Sequence, residues 1–331
     1  MDANANCRLE RASALGELTS WQVTVYITAY ADSSALNCCL AGIRAQTYPI
    51  QHILIVDNSP TPLAIAPEHA TDPRLRIWHH PENLGISGGL ALAAKFATQA
   101  AVDFLWLFDQ DSYPAADCLH TLVTTYQTYT KQGDQVGIVA PTAVDSRTGE
   151  VVRAGRFLGD RFRGFPPPPG DTPYDCDVAI TSGSLLRLET LAQVTLPDPR
   201  LFIDGIDLDH GLRLRQAGYR NLVVPTAQMT HRFGQPITIQ FCGQKKNLQL
   251  YSPLRHYYIC RNHTYLELRH SQGFAQFTCG LHRLRYLLVS SVYILLFDRQ
   301  STWQTKRQKI LACFLGTWHG WLGQLDPQWQ D

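Results

Sequence analysis

Two acidic residues that follow a run of five apolar residues constrain this chain most. Residues 104–108 (Phe-Leu-Trp-Leu-Phe) are typical of a buried strand, and Asp109 and Asp111 follow with one residue between them. On an extended chain this spacing places both carboxylates on one face, where they repel unless a cation joins them. Hard oxygen ligands suit a divalent metal shared with substrate phosphates, so the segment predicts a site for a nucleoside diphosphate compound. The alternative is that Asp111 or Ser112 caps a helix that begins near Asp117.

The bulk composition bounds the class of protein. The chain has 331 residues, of which 45% are apolar and 17% charged, enough for a substantial core in one large domain or two modest ones. Its formal net charge of +1 argues against a broad nucleic-acid interface. The nine cysteines include no Cys-x-x-Cys pair, so we expect scattered thiols in a reducing cytosol and neither a structural zinc site nor a disulfide framework.

The two ends of the chain bear on its location. Residues 1–20 lack a continuous apolar core, so they are predicted to be an N-terminal leader rather than a signal peptide. No segment reaches the roughly 18–20 apolar residues of a membrane span. The closest are 286–297 and 310–325, with a basic run at 306–309 between them. These stretches are interpreted as helices packed on the main domain, and the alternative is a surface that rests on an anionic bilayer.

Short apolar runs alternate with helical segments over the first third of the chain. Ser33 or Ser34 is expected to cap the first helix, and a glycine-rich turn at 85–89 feeds a later one. The predicted strands cover residues 23–27, 51–56, 75–78 and 104–108. This alternation predicts an α/β protein with a doubly wound, mostly parallel sheet.

The pattern is less regular beyond residue 112. The proline-rich segment 165–170 is predicted to be a surface loop, and residues 207–217 a helix. From about residue 254 the pattern is helical and rich in aromatic residues. Further strands are predicted at 136–140, 178–186 and 221–224.

Further residues could carry chemistry. Asp57 follows the second strand, where an acid can accept hydrogen bonds from a nucleobase or ribose, although Asp-Asn-Ser-Pro is also turn chemistry. Asp204, Asp207 and Asp209 lie at the start of a helix, whose dipole stabilises acids by roughly 0.3–1 kcal/mol each and keeps a general base ionised. His231 could be a nitrogen ligand of a hard-metal site, although a lone histidine is more often a surface or core residue.

Short motifs in a fixed order carry a resemblance. They are Ile-Thr-Ala-Tyr at 27–30, Val-Asp-Asn-Ser at 56–59, Asn-Leu-Gly-Ile at 83–86, Phe-Asp-Gln-Asp-Ser at 108–112, Thr-Ser-Gly-Ser at 181–184, Leu-Phe-Ile-Asp-Gly-Ile-Asp-Leu-Asp at 201–209, Arg-Gln-Ala-Gly-Tyr at 215–219, Met-Thr-His-Arg at 229–232 and Tyr-Tyr-Ile-Cys-Arg-Asn at 257–262. The chain resembles the inverting GT-A glycosyltransferases of family 2 and, within them, the bacterial rhamnosyltransferases. The resemblance implies a Rossmann-like GT-A domain at 21–250, with a nucleotide-sugar half at 21–112 and an acceptor half at 113–250. A C-terminal helical region at 251–331, which could face a membrane, would follow.

The matched positions imply roles for single residues. Asp109, Asp111 and His231 would hold a divalent cation, Mg²⁺ or Mn²⁺. Asp207 would be the catalytic base, with Asp209 as its rival because Ile206 stands where the family carries Glu. The implied substrate-binding residues are Thr28, Ala29, Tyr30, Asp57, Asn83, Gly85, Asp109, Gly183 and Asp204.

The implied activity is the transfer of a sugar from a dTDP- or UDP-sugar, foremost L-rhamnose from dTDP-L-rhamnose. The acceptor would be a hydroxyl of a growing or lipid-linked glycan, and the enzyme would be cytoplasmic, with a peripheral contact to the membrane. A nucleotidyltransferase is a weaker alternative, because no Gly-rich loop bearing Lys or Arg follows the first strand. A nucleotide-sugar-binding protein without catalysis is the third, and the missing Glu before Asp207 keeps it open.

Overall fold

The computed structural model describes residues 21–234, 236–241, 244–249, 251–326 and 329. The predicted leader at 1–20 lies outside these residues. The strands are β1 (Val23–Ala29), β2 (His52–Asp57), β3 (Leu75–His79), β4 (Phe104–Asp109), β5 (Ser112–Pro114), β6 (Val136–Asp145), β7 (Gly155–Phe157), β8 (Phe162–Gly164), β9 (Tyr174–Cys176), β10 (Leu185–Arg187), β11 (Arg220–His231), β12 (Pro236–Phe241) and β13 (Gln244–Gln249). The helices are α1 (Ser33–Arg44), α2 (Pro67–Ala70), α3 (Gly85–Gln99), α4 (Cys118–Lys131), α5 (Ile206–Gln216), α6 (Pro253–His270), α7 (Phe274–Phe297) and α8 (Trp303–Trp321).

A nine-stranded sheet organises the described part of the chain. Its order is β3-β2-β1-β4-β10-β6-β11-β5, and β9 pairs with β11. The four strands β3, β2, β1 and β4 are parallel to one another, and β6 is parallel to β11. The predicted α/β class with a mostly parallel, doubly wound sheet and a C-terminal helical region is confirmed. The carboxyl ends of β1 and β4 lie side by side, with Thr28 opposite Asp109.

Apolar layers cover both faces of this sheet. On one face β1, β2 and β4 pack against α1 and α4, and on the other they pack against α3. The alternation of side chains explains this, since Val25 and Ile27 join one cluster while Tyr26 joins the other. Trp106 is fully buried, and its indole N–H donates to the Gly183 carbonyl at 2.8 Å.

Several local predictions differ from the structure. Asp32, rather than Ser33 or Ser34, caps α1, because its carboxylate accepts the Ala35 N–H at 2.9 Å. Only the end of the predicted strand 178–186 is a strand, and this strand, β10, runs antiparallel to β4 and β6. The chain reverses just before β10 at Gly183, whose φ of +82° suits glycine and whose Cβ would lie 2.6 Å from a proline side chain.

The cysteines of the described residues are consistent with the predicted scattered thiols. All seven in the described residues are free thiols, and six of them are buried.

The C-terminal helices correct the prediction that no segment could span a membrane. Helix α7 has 24 residues and a window with a mean hydropathy of 1.2, so by length and composition alone it could cross one. A search for uninterrupted apolar residues missed it because three basic side chains, His282, Arg283 and Arg285, lie within the helix. Only 22% of that window is buried in the fold.

Candidate functional site

A cavity of about 1060 Å³ opens at the carboxyl ends of β1 and β4. Ligands of open α/β sheets bind at this edge. Eight residues predicted from the sequence line the cavity together: Thr28, Ala29, Tyr30, Asp109, Asp111, Asp204, Asp207 and His231.

Three of these residues form a cluster that could hold a metal ion. One ligand atom from each of Asp109, Asp111 and His231 lies within 4.8 Å of the others. The two carboxylates lie together for a different reason from the predicted one. Strand β4 ends at Asp109 and the chain turns at the next two residues, so a turn, and not side-chain alternation along a strand, brings Asp111 to Asp109. The capping alternative is not what the structure shows: Ser112 begins β5, and the residue at the start of α4 is Asp117.

Hydrogen bonds through two serine hydroxyl groups link Asp109 to His231. The Asp109 N–H donates to Ser182 Oγ at 2.9 Å, and Ser182 Oγ lies 2.7 Å from Ser112 Oγ. Ser112 Oγ in turn lies 2.7 Å from Nδ1 of His231, which is buried. Antiparallel pairing of β5 with β11 sets Ser112 opposite His231, although the two are 119 residues apart in the chain. Partners of this kind fix the ring orientation of a metal-binding histidine.

The donor set fits a hard divalent cation. Two carboxylates and one imidazole are suitable ligands for Mg²⁺ or Mn²⁺, and open positions would remain for water or phosphate oxygens. Desolvation raises the pKa of Asp109 to about 6; the nearby His231 opposes this shift, while the charge of Asp111 adds to it. A cation would relieve the repulsion between the two acids, which is the electrostatic reason for expecting one here.

The residue between the two acids also has a defined contact. The Gln110 side-chain amide donates to the Tyr30 carbonyl at 2.7 Å and accepts the Tyr30 N–H at 2.8 Å. These paired bonds tie the segment after β1 to the turn after β4. They therefore fix the distance between Tyr30 on the cavity wall and the turn that carries the acids.

The structure separates the two candidate bases. Asp207 faces the cavity, and its Oδ1 accepts the Leu208 N–H at 3.0 Å. Asp209 is buried outside the cavity and pairs with Arg213, whose Nη2 lies 2.6 Å from Asp209 Oδ2. Residues two apart on a helix point in nearly opposite directions, so only one of the two acids can reach the cavity. This geometry favours Asp207.

The pKa of the Asp207 carboxyl is raised to about 6. Desolvation is the main cause, the Leu208 N–H opposes it, and the neighbouring charges of Asp204 and Asp109 add to it. A carboxylate with this pKa binds a proton more readily than an ordinary one and is still ionised at neutral pH. Both properties suit a general base.

Three arginines to which the sequence analysis gave no role lie on the cavity wall: Arg147, Arg232 and Arg255. Arg255 grips Asp204 with two nitrogens at 3.1 and 3.2 Å, which holds that carboxylate in an ion pair. Arg232 follows the candidate metal ligand in the chain and pairs with Asp32 at 2.6 Å. Only its position next to His231 could have indicated it, and Arg255 carried no signal because its partner lies 51 residues away.

The loop that precedes α5 has an unusual backbone. Phe202 and Asp204 have φ of +62° and +63°, and Gly205 has +80°. Left-handed conformations of non-glycine residues cost of order 1–3 kcal/mol each and persist only where the surroundings hold them. Fully buried Asn262 on α6 supplies that hold, because its side-chain amide donates to the carbonyls of Leu201, Ile203 and Asp204 at 2.8–2.9 Å.

We expect Asn262→Ala to lower the free energy of unfolding by about 2–4 kcal/mol, because the carbonyls of this loop lose the buried amide that binds them. The turnover of the protein that remains folded should also fall, since the loop leads directly into Asp207. Urea unfolding and initial rates at low temperature measure the two effects. Asn37→Ala is the control: its side chain bonds the backbone of Ser33, Ala64 and Ala66 away from the cavity, so it should cost stability alone. An Asn262→Ala enzyme with unchanged turnover would contradict this role for the loop.

Four predicted substrate-binding residues do not line the cavity. Asp57 is buried and accepts the N–H groups of Ser59 and Leu63 at 3.0 and 2.8 Å, which is the turn chemistry left open as the alternative. Gly183 shapes the reversal before β10 instead of the cavity wall.

The glycine-rich segment also differs from its predicted role. Helix α3 begins at Gly85, so Gly88 and Gly89 lie inside the helix and not in a turn. The Asn83 carboxamide oxygen accepts the Gly85 N–H at 3.0 Å. The Phe202 carbonyl accepts the next two N–H groups of α3 at 2.8 and 3.2 Å, so this helix end is filled by protein and does not offer its amides to a phosphate. His210 is likewise buried outside the cavity.

The C-terminal region completes the cavity, which the sequence did not indicate. The corner between α7 and α8 lines it through Asp298, Gln300, Ser301, Thr305 and Lys309. Lys309 Nζ lies 2.7 Å from Oδ2 of fully buried Asp298, and this ion pair holds the corner in place.

The chain is similar to known proteins in sequence. Residues 24–181 match the family model described as "Glycosyl transferase family 2". The dTDP-rhamnosyl transferase RfbF of Shigella flexneri is 24% identical over 239 residues, which cover 72% of this chain and 77% of RfbF. The galactofuranosyltransferase GlfT1 of Mycobacterium tuberculosis (strain CDC 1551 / Oshkosh) is 26% identical over 238 residues, which cover 68% of this chain and 75% of GlfT1.

A solved structure shares the fold. The crystal structure of GalNAc-T7 with UDP, GalNAc and Mn²⁺ superposes with a TM-score of 0.53 at 16% identity over 76% of this chain. The match spans 48% of the GalNAc-T7 chain, about half of its length. At this identity the likeness concerns the fold, and it confirms the predicted GT-A architecture.

Proposed function

We propose, from the premise that this chain carries a family 2 glycosyltransferase domain at residues 24–181, that it transfers a sugar from a nucleoside diphosphate donor to an acceptor hydroxyl with inversion. The family predicted from the sequence motifs is confirmed by that match and by the rhamnosyl and galactofuranosyl transferase relatives. One observation carries the proposed chemistry. The cluster of Asp109, Asp111 and His231 and the carboxylate of Asp207 line the same cavity.

The side chains divide the reaction between them. Asp207 takes the proton of the acceptor hydroxyl as its oxygen attacks the anomeric carbon from the face opposite the leaving group. The bond from that carbon to the diphosphate oxygen breaks in the same displacement, so the configuration inverts without a covalent enzyme intermediate. This requires one base, in contrast to the paired carboxylates of a glycoside hydrolase.

Asp109, Asp111 and His231 would hold a divalent cation. When bound, a cation of this kind offsets the negative charge that develops on the departing diphosphate. The structure supports the choice of residues through the converging ligand atoms and through the Ser112 contact that orients His231. Thr28, Ala29 and Tyr30 would line the nucleotide pocket beside this site.

The donor that we favour is dTDP-L-rhamnose, and the support is the name of the relative RfbF together with the motifs that resemble rhamnosyltransferases. The GlfT1 relative keeps another nucleotide sugar as the alternative donor. The acceptor would be a hydroxyl of a growing or lipid-linked glycan, and the enzyme would act in the cytoplasm. No nucleic-acid partner is proposed.

A donor panel tests the proposal. The full chain is titrated with dTDP-L-rhamnose, UDP-GlcNAc and UDP-galactofuranose in the presence of Mn²⁺ or Mg²⁺, and both calorimetric binding and slow release of the nucleoside diphosphate are measured. We expect one donor to bind most tightly and to be hydrolysed only with metal. If none of these donors is bound or turned over under any metal condition, the proposed function is wrong.

A non-catalytic binder is the second candidate, because Ile206 precedes Asp207 where the family carries Glu. It predicts donor binding without release of nucleoside diphosphate under any condition. The cavity-facing position of Asp207 favours catalysis over this candidate.

The pH profile gives a separate prediction. Because Asp207 acts as a carboxylate and its pKa is raised to about 6, kcat/KM should fall as the pH drops through about 6 and approach a plateau above it. Saturating metal should remove the contribution of Asp109, so a single ionisation should remain in initial rates measured from pH 5 to 8. A profile that is flat down to pH 5 would contradict the assignment of the base.

A further inference from the structure

The surface of α7 and α8 is strongly apolar. Exposed large apolar side chains recur every three or four positions on α7 from Phe274 to Leu296 and on α8 from Leu311 to Leu322, and Trp303 is exposed at the start of α8. Such spacing forms one stripe along each helix. The C-terminal apolar face comprises Phe274, Phe277, Leu281, Leu284, Leu288, Val289, Val292, Leu295, Leu296, Trp303, Leu311, Phe314, Leu315, Trp318, Trp321 and Leu322, each 37–78% exposed.

This face is unusual within the molecule. Among the described residues, all but five of the exposed large apolar side chains lie in this C-terminal region. Contiguous apolar patches of this kind mark interaction sites, whereas single exposed apolar residues need no explanation.

The exposed charges within residues 274–325 have one sign. Residues 274–325 contain a single acid, Asp298, which is buried in its ion pair with Lys309. The basic residues Arg285, Arg299 and Arg307 are exposed in the same region. An apolar face with tryptophans and basic residues and without an exposed acid complements an anionic bilayer. A second copy docked by two-fold symmetry would instead bring together two copies of a face that has exposed arginines and, within residues 274–325, no exposed acid to pair with them.

The packing of α7 favours a helix that lies on a bilayer over one that spans it. Arg283 is buried against α6, where its Nε donates to Thr264 Oγ at 3.0 Å and its Nη1 lies 3.5 Å from Glu267. Leu287 and Ile294 pack with Cys260 of α6 and Cys313 of α8. A spanning orientation would break these contacts and expose the arginine to hydrocarbon.

We propose that the C-terminal apolar face lies on an anionic lipid bilayer and brings the mouth of the cavity to its surface. The corner between α7 and α8 belongs to both surfaces, because it joins the two apolar stripes and lines the cavity through Gln300 and Ser301. This placement selects an acceptor anchored in the bilayer, a conclusion that rests on the proposed function. Bilayer docking itself does not depend on it.

Flotation of the full chain with lipid vesicles tests the docking. The chain should float with vesicles of phosphatidylcholine and phosphatidylglycerol, less with phosphatidylcholine alone, and less at high salt. Leu288→Ser with Trp318→Ser should lower the partition coefficient on the order of tenfold per side chain, because both lose their burial in lipid. Arg285→Ala with Arg307→Ala should lower it about tenfold or more on anionic vesicles alone.

Matched variants control for the loss of surface residues as such. Leu158→Ser with Ile77→Ser removes apolar side chains that are 50% and 45% exposed elsewhere, and Arg76→Ala with Arg163→Ala removes exposed arginines elsewhere. These variants should float like the unchanged protein. All variants should keep metal-dependent hydrolysis of the donor in vesicle-free buffer, so a failure of docking is distinguishable from a failure of the proposed function.

Four results would overturn the docking proposal. The first is absence of flotation on anionic vesicles, and the second is flotation that Leu288→Ser with Trp318→Ser leaves unchanged. The third is a stable dimer in lipid-free buffer that the same variant dissociates, which would assign the face to a second copy. The fourth is binding that resists both high salt and alkaline carbonate, which would indicate a spanning helix.

Discussion

Asp207→Asn is expected to lower kcat by about 10²–10⁴-fold, because the amide cannot accept the proton of the acceptor hydroxyl. Donor affinity should change only a few-fold, since the substitution keeps the shape of the side chain and an oxygen that can accept the Leu208 N–H. Steady-state rates and calorimetric donor binding, measured on the same preparation, separate the two quantities.

The neighbouring acid supplies the control. Asp209→Asn removes the charge that pairs with Arg213, so it should lower the free energy of unfolding by about 1–3 kcal/mol while kcat of the folded enzyme stays within a few-fold. Should Asp209→Asn abolish turnover and Asp207→Asn leave it intact, the assignment of the base would be reversed. If the unchanged protein never turns over the donor, the non-catalytic binder takes its place.

Asp111→Ala should weaken Mn²⁺ binding more than about 100-fold, because loss of a direct ligand exceeds the 10–100-fold that loss of an outer partner costs. The metal-dependent part of donor affinity and kcat/KM should fall with it. Titration of free Mn²⁺ by electron paramagnetic resonance measures the affinity directly and does not require turnover.

Two further substitutions should have smaller effects on the Mn²⁺ affinity. Ser112→Ala, which removes the hydroxyl that orients His231, should cost about 10–100-fold in Mn²⁺ affinity. Asp117→Ala removes an exposed acid six positions after Asp111 and outside the cavity, so it should leave the Mn²⁺ affinity unchanged. Equal Mn²⁺ affinity in Asp111→Ala and Asp117→Ala would show that this cluster is not the metal site.

Much of the sheet edge that carries the cavity could be predicted from local patterns. The apolar runs of β1, β2 and β4 mark buried parallel strands, and a polar residue that follows such a run must lie at the carboxyl edge of the sheet. The strand pattern indicated Asp109 in this way, the family resemblance implied Thr28, and the structure pairs the two across neighbouring strands. Asp57 had two interpretations, a ligand contact and a local turn, and the structure shows its carboxylate in the turn.

Contacts between distant segments could not be predicted in this way. Pairing of β5 with β11 brings His231 to the acids, and Asn262 of α6 holds the loop before α5. The corner between α7 and α8 closes the cavity from a region whose pattern indicated only apolar helices. These contacts depend on how whole elements pack, and no short window of sequence carries that information.

The amino-acid sequence by itself determined the class of fold and the set of acids available to a metal and a base. It did so because side-chain periodicity and strand order follow from local backbone geometry. Only the tertiary structure decided that Asp207 faces the cavity while Asp209 is buried against Arg213. Helical periodicity sets the two acids on opposite sides of α5, but the packing of that helix against the sheet and α6 chooses which side is open to substrate.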